Sequence, residues 1–411
     1  MIDPERLLSS FLRYVRIDTT AREDAGCYPS SPGQFELGRM LLGELREIGL
    51  DDAAQNEFGI VTATIPATVK KAVPTIAFNS HVDTSPETTG AGVKPQVIRK
   101  YDGRDLVLPG DTAKVIRVAD NPELRELVDR MIITSDGTTL LGADDKAGLA
   151  VIMELTAHLK EQPDIPHGPV RVLFTCDEEI GHGVDHVDLA ALEATACYTL
   201  DGHGADEIDV ETFSADVAMV TVRGVNIHPS IGKGKMVNAV RVAADFVSRL
   251  PRDQLSPETT DKRQGFLHPY GIQGGVAEAT LKILLRDFDT ASLAHLAERL
   301  RCAAADASAA FPGSSIEVKI IQQYRNMADG LALEPRAVTY AQEALKRLGR
   351  EPKLTIVRGG TDGSRLTELG LPTPNLSTGQ HNPHSPLEWA CLEEMQQAVA
   401  MLAELVQLWA Q

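Results

Sequence analysis

The amino-acid sequence predicts an α/β protein in which a smaller α+β domain interrupts the main domain. Helix and strand patterns alternate through the first half of the chain, which is typical of a largely parallel sheet covered by helices. Strands with period-two alternation then dominate, and the first pattern resumes afterwards. We therefore predict a main domain made of residues 1–209 and 326–411, with an inserted domain at residues 210–325.

The first part of the main domain contains the elements of the parallel sheet. "QFELGRMLLGELREI" has the apolar spacing of a helix, whereas "TIAFNS" and "VRVLFT" are short apolar runs typical of buried strands. Turn signals such as Asp102-Gly103 and Asp136-Gly137 predict a hairpin-rich excursion between those two strands. In chain order we predict a helix at 34–48, a strand at 75–80, the excursion at 86–140, a helix at 147–159, and strands at 170–175 and 197–200.

The inserted domain has strands in which apolar and polar residues alternate. "VAMVTVRG" alternates strictly and "AEATLKILLRDF" less strictly, which indicates strands with one covered face. Strands covered on one face by two helices indicate a layered α+β domain. In chain order we predict strands at 217–224, 277–288 and 316–321 with helices at 236–250 and 291–310, followed in the main domain by a helix at 335–348, a strand at 353–360 and a helix at 392–409.

The composition is that of an ordinary globular protein and argues against several functional classes. The 411-residue chain is 43% hydrophobic and has no apolar run of the roughly 20 residues that span a membrane. Its start contains acids and arginines where a signal peptide needs apolar residues, so we expect a cytoplasmic protein. A net charge of −18 without a basic stripe argues against nucleic-acid binding. The five cysteines are scattered, which indicates reduced thiols.

Four predicted strand ends carry residues that can bind metal ions. Ligands of open α/β sheets bind beyond the carboxyl ends of strands, so these side chains are expected to converge. A single acid there is more often a turn former or a helix N-cap, but four such ends favour a site. Three successive carboxylates also repel one another, so a positive partner is expected. The residues are His81 and Asp83 after "TIAFNS", Asp144 and Asp145 after "TTLLGA", Asp177–Glu179 after "VRVLFT", and Asp201 after "CYTL".

These motifs occur in an order that resembles the peptidase T family of tripeptide aminopeptidases. The resemblance is carried by "SHVDTS", "TTLLGADDKAG", "DEEIG", "LDG", "RGGTDGS" and a late histidine, and it covers nearly the whole chain. This family is a branch of the two-zinc metallopeptidases, which also include aminoacylases, succinyl-diaminopimelate desuccinylase and glutamate carboxypeptidases. The resemblance implies a mostly parallel zinc-peptidase catalytic domain interrupted by a ferredoxin-like lid domain, and hydrolysis of the N-terminal residue of tripeptides.

The resemblance also implies a ligand set for two Zn²⁺ ions per chain. His81 and Asp201 hold one ion, Glu179 and His384 hold the other, and Asp144 bridges both. A bridging carboxylate suits two metals about 3.5–4 Å apart. Two divalent ions would supply the positive charge that the three successive acids require.

Two further acids receive catalytic roles from the resemblance. Asp83 orients His81, and Glu178 is the general base that takes a proton from the attacking water and passes it to the leaving amine. Asp177 has no catalytic role and is expected to be solvated or to cap a turn. The family also implies a cis peptide bond between Asp144 and Asp145.

The late histidine is the ligand with a competing candidate. "TGQHNPHSPLEW" contains both His381 and His384, and the family has a glycine where Ser385 follows the ligand here. Counting from the Thr-Gly pair favours His384, which leaves His381 as a solvent-exposed loop residue. His182 and His203 lie beside the site in the sequence and are interpreted as polar neighbours.

Four residues are implied to bind substrate. In the lid, "VNIHPSIGKGKMVNA" resembles a motif of the family, which implies that His228 reaches the scissile carbonyl. The resemblance also implies that Asn238, and Arg286 from "LLRDFD", meet the C-terminal carboxylate, for which a guanidinium has bidentate geometry. Arg358 lines the pocket floor beside two glycines. The alternatives left open are an ion pair of Arg286 with a neighbouring aspartate and a helix-surface position for Asn238.

Two other functions remain open at this point. A deacylase, desuccinylase or carboxypeptidase would use the same zinc chemistry on N-acyl amino acids or dipeptides. A metal-binding protein without turnover is also possible, although Glu178 is not needed for ligation. The expected partner is a small peptide, with no nucleic acid and no membrane, and the chain is a monomer or a homodimer.

Overall fold

The computed structural model describes residues 2–411, and three of its helices, α1, α4 and α5, begin at a side chain that caps them. In the first helix the Asp3 side chain accepts the N–H groups of Glu5 and Arg6, and Pro4 occupies the first turn, where a missing N–H costs nothing. The helices are α1 (Pro4–Tyr14), α2 (Pro32–Glu47), α3 (Ala143–Glu161), α4 (Leu189–Leu192), α5 (Ala239–Ser248), α6 (Ser292–Ala310), α7 (Ala328–Leu331), α8 (Arg336–Arg347), α9 (Asp362–Glu368) and α10 (Leu392–Trp409).

The central strands of the main sheet form where short apolar runs become buried. Every residue of the run from Ile76 to His81 is buried, as expected for a strand covered on both faces. The strands are β1 (Ala54–Gln55), β2 (Val61–Ile65), β3 (Ile76–His81), β4 (Gln96–Ile98), β5 (Leu106–Val107), β6 (Val115–Ile116), β7 (Ile132–Thr134), β8 (Val170–Thr175), β9 (Ala196–His203), β10 (Glu207–Thr212), β11 (Ser214–Arg223), β12 (Phe266–Gly274), β13 (Glu278–Asp287), β14 (Ser315–Tyr324), β15 (Lys353–Val357), β16 (Asn375–His381) and β17 (Trp389–Cys391).

The main sheet has a parallel centre with antiparallel strands towards its edges. Its order is β1-β2-β8-β3-β9-β16-β17-β7-β4, and β10 and β15 extend it beside β16. The neighbours β8, β3, β9 and β16 pair in parallel, so their carboxyl ends meet at one edge. The α/β class predicted from the sequence is confirmed.

The insertion forms a separate antiparallel sheet of order β12-β13-β11-β14. With α5 and α6 the chain order is βαββαβ, which is the ferredoxin-like arrangement. The sequence analysis missed β12, because Pro269 and Gly271 interrupt its pattern where the register also shifts. Apolar residues of α5, α6, β11 and β13 form its core.

The chain divides into two compact units. One comprises Met1–Val210, Met327–Thr355 and Thr361–Gln411, and the other comprises Glu211–Asn326 and Ile356–Gly360. Across residues 2–411, no helix combines the length and the apolar character needed to cross a membrane.

Candidate metal centre

The parallel centre of the main sheet delivers polar side chains to one edge. β3 ends at His81, β9 carries Asp201, and β8 leads into a 3₁₀ turn that contains Glu178 and Glu179. Asp144 stands at the start of α3, two residues after Gly142, whose φ of 82° is readily adopted only by glycine. The peptide bond between Asp144 and Asp145 is cis, as the resemblance implies.

The five predicted ligands form two groups that share Asp144. Its Oδ1 lies 3.1 Å from the Nε2 of His81, which is 3.8 Å from Asp201 Oδ1. Its Oδ2 lies 3.3 Å from the Nε2 of His384, which is 2.9 Å from Glu179 Oε2. In each group of three residues the possible ligand atoms all lie within 4.8 Å of one another. The structure therefore brings together all five residues.

The donor set of the two groups fits divalent cations. Three carboxylates and two imidazoles are typical ligands of zinc and of other first-row metals. Glu179 Oε1 is buried and has no hydrogen-bond partner within residues 2–411, although buried polar atoms rarely stay unpaired. A cation between Glu179 and His384 would satisfy that oxygen.

The protonation equilibria of the site show that negative charge is in excess. Burial raises the pKa of Glu178 well above its usual value, and it raises the pKa of Glu179 to about 8 together with the charge of Asp144. Burial also opposes charge on Asp144, yet hydrogen bonds from His384 and His81 hold the pKa of that carboxyl well below its usual value. The two histidines therefore stabilise only part of the carboxylate charge.

The general-base candidate Glu178 lies beside the two groups without belonging to either. Its Oε2 is 4.0 Å from the Nε2 of His81, and its side chain is partly accessible. The carboxylate of Asp83 accepts the backbone N–H groups of Glu178 and Glu179 at 3.1 and 3.0 Å. It also lies 3.4 Å from the Nδ1 of His81, whose nearer contact is the backbone oxygen of Asp83 at 3.1 Å. Asp83 thus holds the turn of the two glutamates as well as contacting His81.

The two late histidines have different environments. The Nε2 of His381 lies 2.7 Å from Glu394, and its ring stacks on Trp389 at 3.7 Å. The expectation that this histidine is exposed to solvent was wrong, because it is only 8% exposed. His182 is exposed and pairs with Asp185 at 2.6 Å.

Asp177, which was expected to be solvated or to cap a turn, is instead buried. Its carboxylate accepts the backbone N–H of Ser30 at 2.6 Å and the side-chain amide of Gln34 at 2.6 Å. It is only 1% exposed. Asp177 therefore anchors the beginning of α2 to the strand end that carries the glutamates.

Sequence reasoning missed two buried acids next to the centre. Asp362 accepts the hydroxyl of Thr175 at 2.5 Å, and burial raises its pKa to about 6. Glu388 accepts backbone N–H groups at the start of α3, and burial raises its pKa to about 7. The apolar neighbours Leu387 and Trp389 were a signal that Glu388 is buried.

The four predicted substrate-binding residues all lie in the second compact unit. His228 is exposed, with its Nδ1 2.7 Å from the hydroxyl of Ser230. Asn238 caps α5 by accepting the N–H of Val240 at 2.9 Å. It therefore lies at the N-terminus of the helix and not on the helix surface, which was the alternative left open.

The two arginines among them donate to backbone oxygens within the unit. Arg286 donates through Nη1 to the backbone carbonyls of Asp216 and Leu285, both at 3.0 Å. The alternative, an ion pair of Arg286 with a neighbouring aspartate, is therefore not formed. Arg358 donates to the carbonyls of Lys262 and Gln264 at 2.7 and 2.8 Å.

Comparison with known proteins identifies the family. The model of peptidase family M20/M25/M40 matches residues 137–408. Peptidase T of Geobacillus thermodenitrificans (strain NG80-2) is 42% identical over 407 residues, which cover 99% of each chain. The structure of aminopeptidase PepT from Bacillus cereus ATCC 10987 matches with 25% identity, a TM-score of 0.75 and full coverage of both chains. A tripeptidase structure from Staphylococcus aureus matches with 25% identity and a TM-score of 0.77 over 100% of this chain and 99% of the other. The resemblance predicted from the sequence is confirmed, and the chain belongs to peptidase family M20/M25/M40, within its peptidase T branch.

Proposed function

We propose that this chain is a zinc-dependent aminopeptidase that removes the N-terminal residue from tripeptides. The observation that carries the proposal is the sharing of Asp144 between two groups of ligand atoms. In this proposal His81 and Asp201 hold one zinc ion, and Glu179 and His384 hold the other. The names of the similar proteins, peptidase T and tripeptidase, support the choice of substrate.

The residues around the two groups support a hydrolytic reaction. When bound, two zinc ions would lower the pKa of a coordinated water and polarise the peptide carbonyl. Glu178 takes the proton of the attacking water and passes it to the leaving amine. Burial raises the pKa of Glu178, which suits a base that must hold the proton between the two transfers. Asp83 fixes the position of this base, because its carboxylate accepts the backbone N–H of Glu178.

We assign the recognition of the scissile carbonyl and of the substrate's C-terminal carboxylate to the second unit. His228 is proposed to donate to the carbonyl oxygen of the scissile bond, and Asn238 and Arg286 to bind the substrate's C-terminal carboxylate. All hydrogen bonds described for Arg286 use Nη1, and a guanidinium offers several further donors. Arg358 is proposed to shape the pocket, because it fixes the carbonyls of Lys262 and Gln264.

The proposed setting is the cytoplasm, with small peptides as substrates. All five cysteines are free thiols, and three of them are buried. Proteins of reducing compartments keep their thiols in this state. The chain acts as a monomer or a homodimer in this proposal.

A substrate panel tests the proposed specificity. The zinc-loaded protein is incubated with dipeptides, tripeptides, tetrapeptides, N-blocked tripeptides and N-acetyl amino acids, and the products are identified by mass spectrometry. We expect release of the N-terminal residue from unblocked tripeptides alone, with the chelated protein as the inactive control. Hydrolysis of N-acetyl amino acids without cleavage of tripeptides would instead identify a deacylase.

A further inference from the structure

The helix that carries Asp144 begins without a cap of its own. Gly142 occupies the N-cap position of α3, where no side chain of the helix accepts the first N–H groups. The N–H groups of Leu141 and Gly142 donate to Oε2 of Glu388, both at 2.7 Å, and that of Asp144 donates to Oε1 at 3.0 Å. Glu388 lies 244 positions after Asp144 in the chain. A distant carboxylate thus satisfies donors that a local Ser, Thr or Asp usually satisfies.

The same glutamate belongs to the loop that carries His384. This loop joins β16 to β17, and the N–H of Glu388 donates to the oxygen of Ser385 at 3.1 Å, which closes a tight turn after the histidine. Thr88 fixes the other side of the loop by donating its hydroxyl to the oxygen of His384 at 2.7 Å. Glu388 therefore joins the turn of Asp144 to the loop of His384.

The burial of Glu388 indicates that these three bonds are its main compensation. The residue is 1% exposed, and within residues 2–411 no Lys or Arg pairs with it at short range, although the buried ammonium of Lys146 interacts with its charge from farther away. A buried carboxylate without a counter-charge in direct contact is costly unless hydrogen bonds satisfy it. The positive end of the α3 dipole adds to the compensation, because the carboxylate faces the helix N-terminus.

We propose that Glu388 is a positioning residue that sets the relative placement of Asp144 and His384, and so the affinity of their group for a metal ion. The inference rests on the proposed two-metal function. It assigns to Glu388 no contact with metal or substrate. Partners that orient metal ligands typically change metal affinity about 10–100-fold when they are removed.

Two substitutions test the proposal with metal alone. In Glu388→Gln one acceptor oxygen becomes an amide NH₂ group, which cannot accept from the N–H group that it faces, so one of the three bonds is lost. Glu388→Asp keeps the charge and both oxygens but shortens the side chain. Glu393→Gln is the matched control, since Glu393 also accepts a backbone N–H, that of Met131 at 2.9 Å, away from the centre. Metal affinity is measured by chelator competition with Zn²⁺, and ligand geometry by the visible spectrum of the Co²⁺-loaded protein.

We expect E388Q to weaken binding of one ion about 10–100-fold and to change the Co²⁺ spectrum, with a smaller change for E388D and none for E393Q. If E388Q does not fold, E388D decides by the same two measurements. Wild-type affinity and spectrum in the folded Glu388 variants would overturn the inference, even if their melting temperatures fall. Failure of the wild-type protein to bind two ions would instead refute the proposed function.

Discussion

The Oε2 of Glu179 lies 2.9 Å from the Nε2 of His384, although the two residues are far apart in the chain. Burial raises the pKa of Glu179 to about 8. Burial opposes charge on His384 as well, but hydrogen bonds to Asp144 and Glu179 raise the pKa of this histidine to about 11. The pair therefore retains protons at neutral pH when no cation is present. Metal ligation requires neutral imidazole and ionised carboxylate, so binding of a cation here must release protons.

We predict that the metal-free protein loses stability as the pH rises from about 5 to 8. For Glu179 the folded pKa is about 8, above its ordinary value of 4.5, so the folded state retains a proton that the unfolded state has released. The raised pKa of His384 also contributes to the stability of the folded state. This contribution is fully present below pH 6.5 and is lost as the pH rises through about 11, so it too decreases with rising pH. Melting temperatures in a chelating buffer across this range measure the effect.

The zinc-loaded protein is the control for this prediction. The cation replaces the retained protons, so the melting temperature of the zinc-loaded protein should depend less on pH over the same range. It should also exceed the melting temperature of the metal-free protein. A metal-free protein that becomes more stable between pH 5 and 8 would contradict the assigned shifts.

The shared position of Asp144 predicts unequal effects of removing ligands. Asp144→Ala should abolish tight binding of both ions, because this residue supplies one oxygen to each group. Asp201→Ala should leave one ion bound, at the group of Asp144, Glu179 and His384. Metal content after gel filtration is measured by mass spectrometry, with the exposed Glu193→Ala as control. Equal metal loss in D144A and D201A would mean that the groups do not bind separately.

The strand ends explain which part of the site could be predicted from residues alone. His81 ends β3, Asp201 lies in β9, and Glu179 follows β8, so the convergence of parallel strands brings them together. His384 lies on a loop instead, and only the resemblance distinguished it from His381. Local sequence holds no distance that shows which of two histidines, three positions apart, reaches the site.

Other features depended on contacts that sequence patterns do not contain. β12 was missed because Pro269 and Gly271 weaken its strand pattern, although pairing with β13 forms it all the same. The capping of α3 by Glu388 was missed because the partner groups are backbone N–H groups on a distant segment. The start of α3 is thus capped through tertiary contact and not by a side chain next to it in the chain.

The position of Glu178 outside both groups predicts that its role is separable from metal binding. Glu178→Gln should keep both ions but lower kcat about 10²–10⁴-fold, since general-base catalysis contributes about this much. Tripeptide hydrolysis and metal content are measured on the same preparation, with Glu193→Gln as control. Undiminished turnover in E178Q would remove Glu178 from the role of base.

The close approach of α3 to β9 predicts opposite effects for two helix glycines. A Cβ at Gly148 would lie 2.0 Å from the backbone oxygen of Leu200, whereas a Cβ at Gly43 in α2 would meet no atom within 4 Å. Gly148→Ala should therefore force α3 away from the sheet and lower stability by about 1–3 kcal/mol or more. Gly43→Ala should raise it by up to about 1 kcal/mol, because alanine favours the helix.

Urea unfolding of both glycine variants in the zinc-loaded state measures the difference. G148A should also bind zinc more weakly, since α3 carries Asp144 and β9 carries Asp201, and a shift between them separates two residues of one group. The added Cβ of G43A meets no atom within 4 Å and so displaces no neighbouring element. The zinc affinity of G43A should therefore equal that of the wild type. A G148A protein as stable as G43A, with unchanged zinc affinity, would show that the distance between α3 and β9 does not position the metal centre.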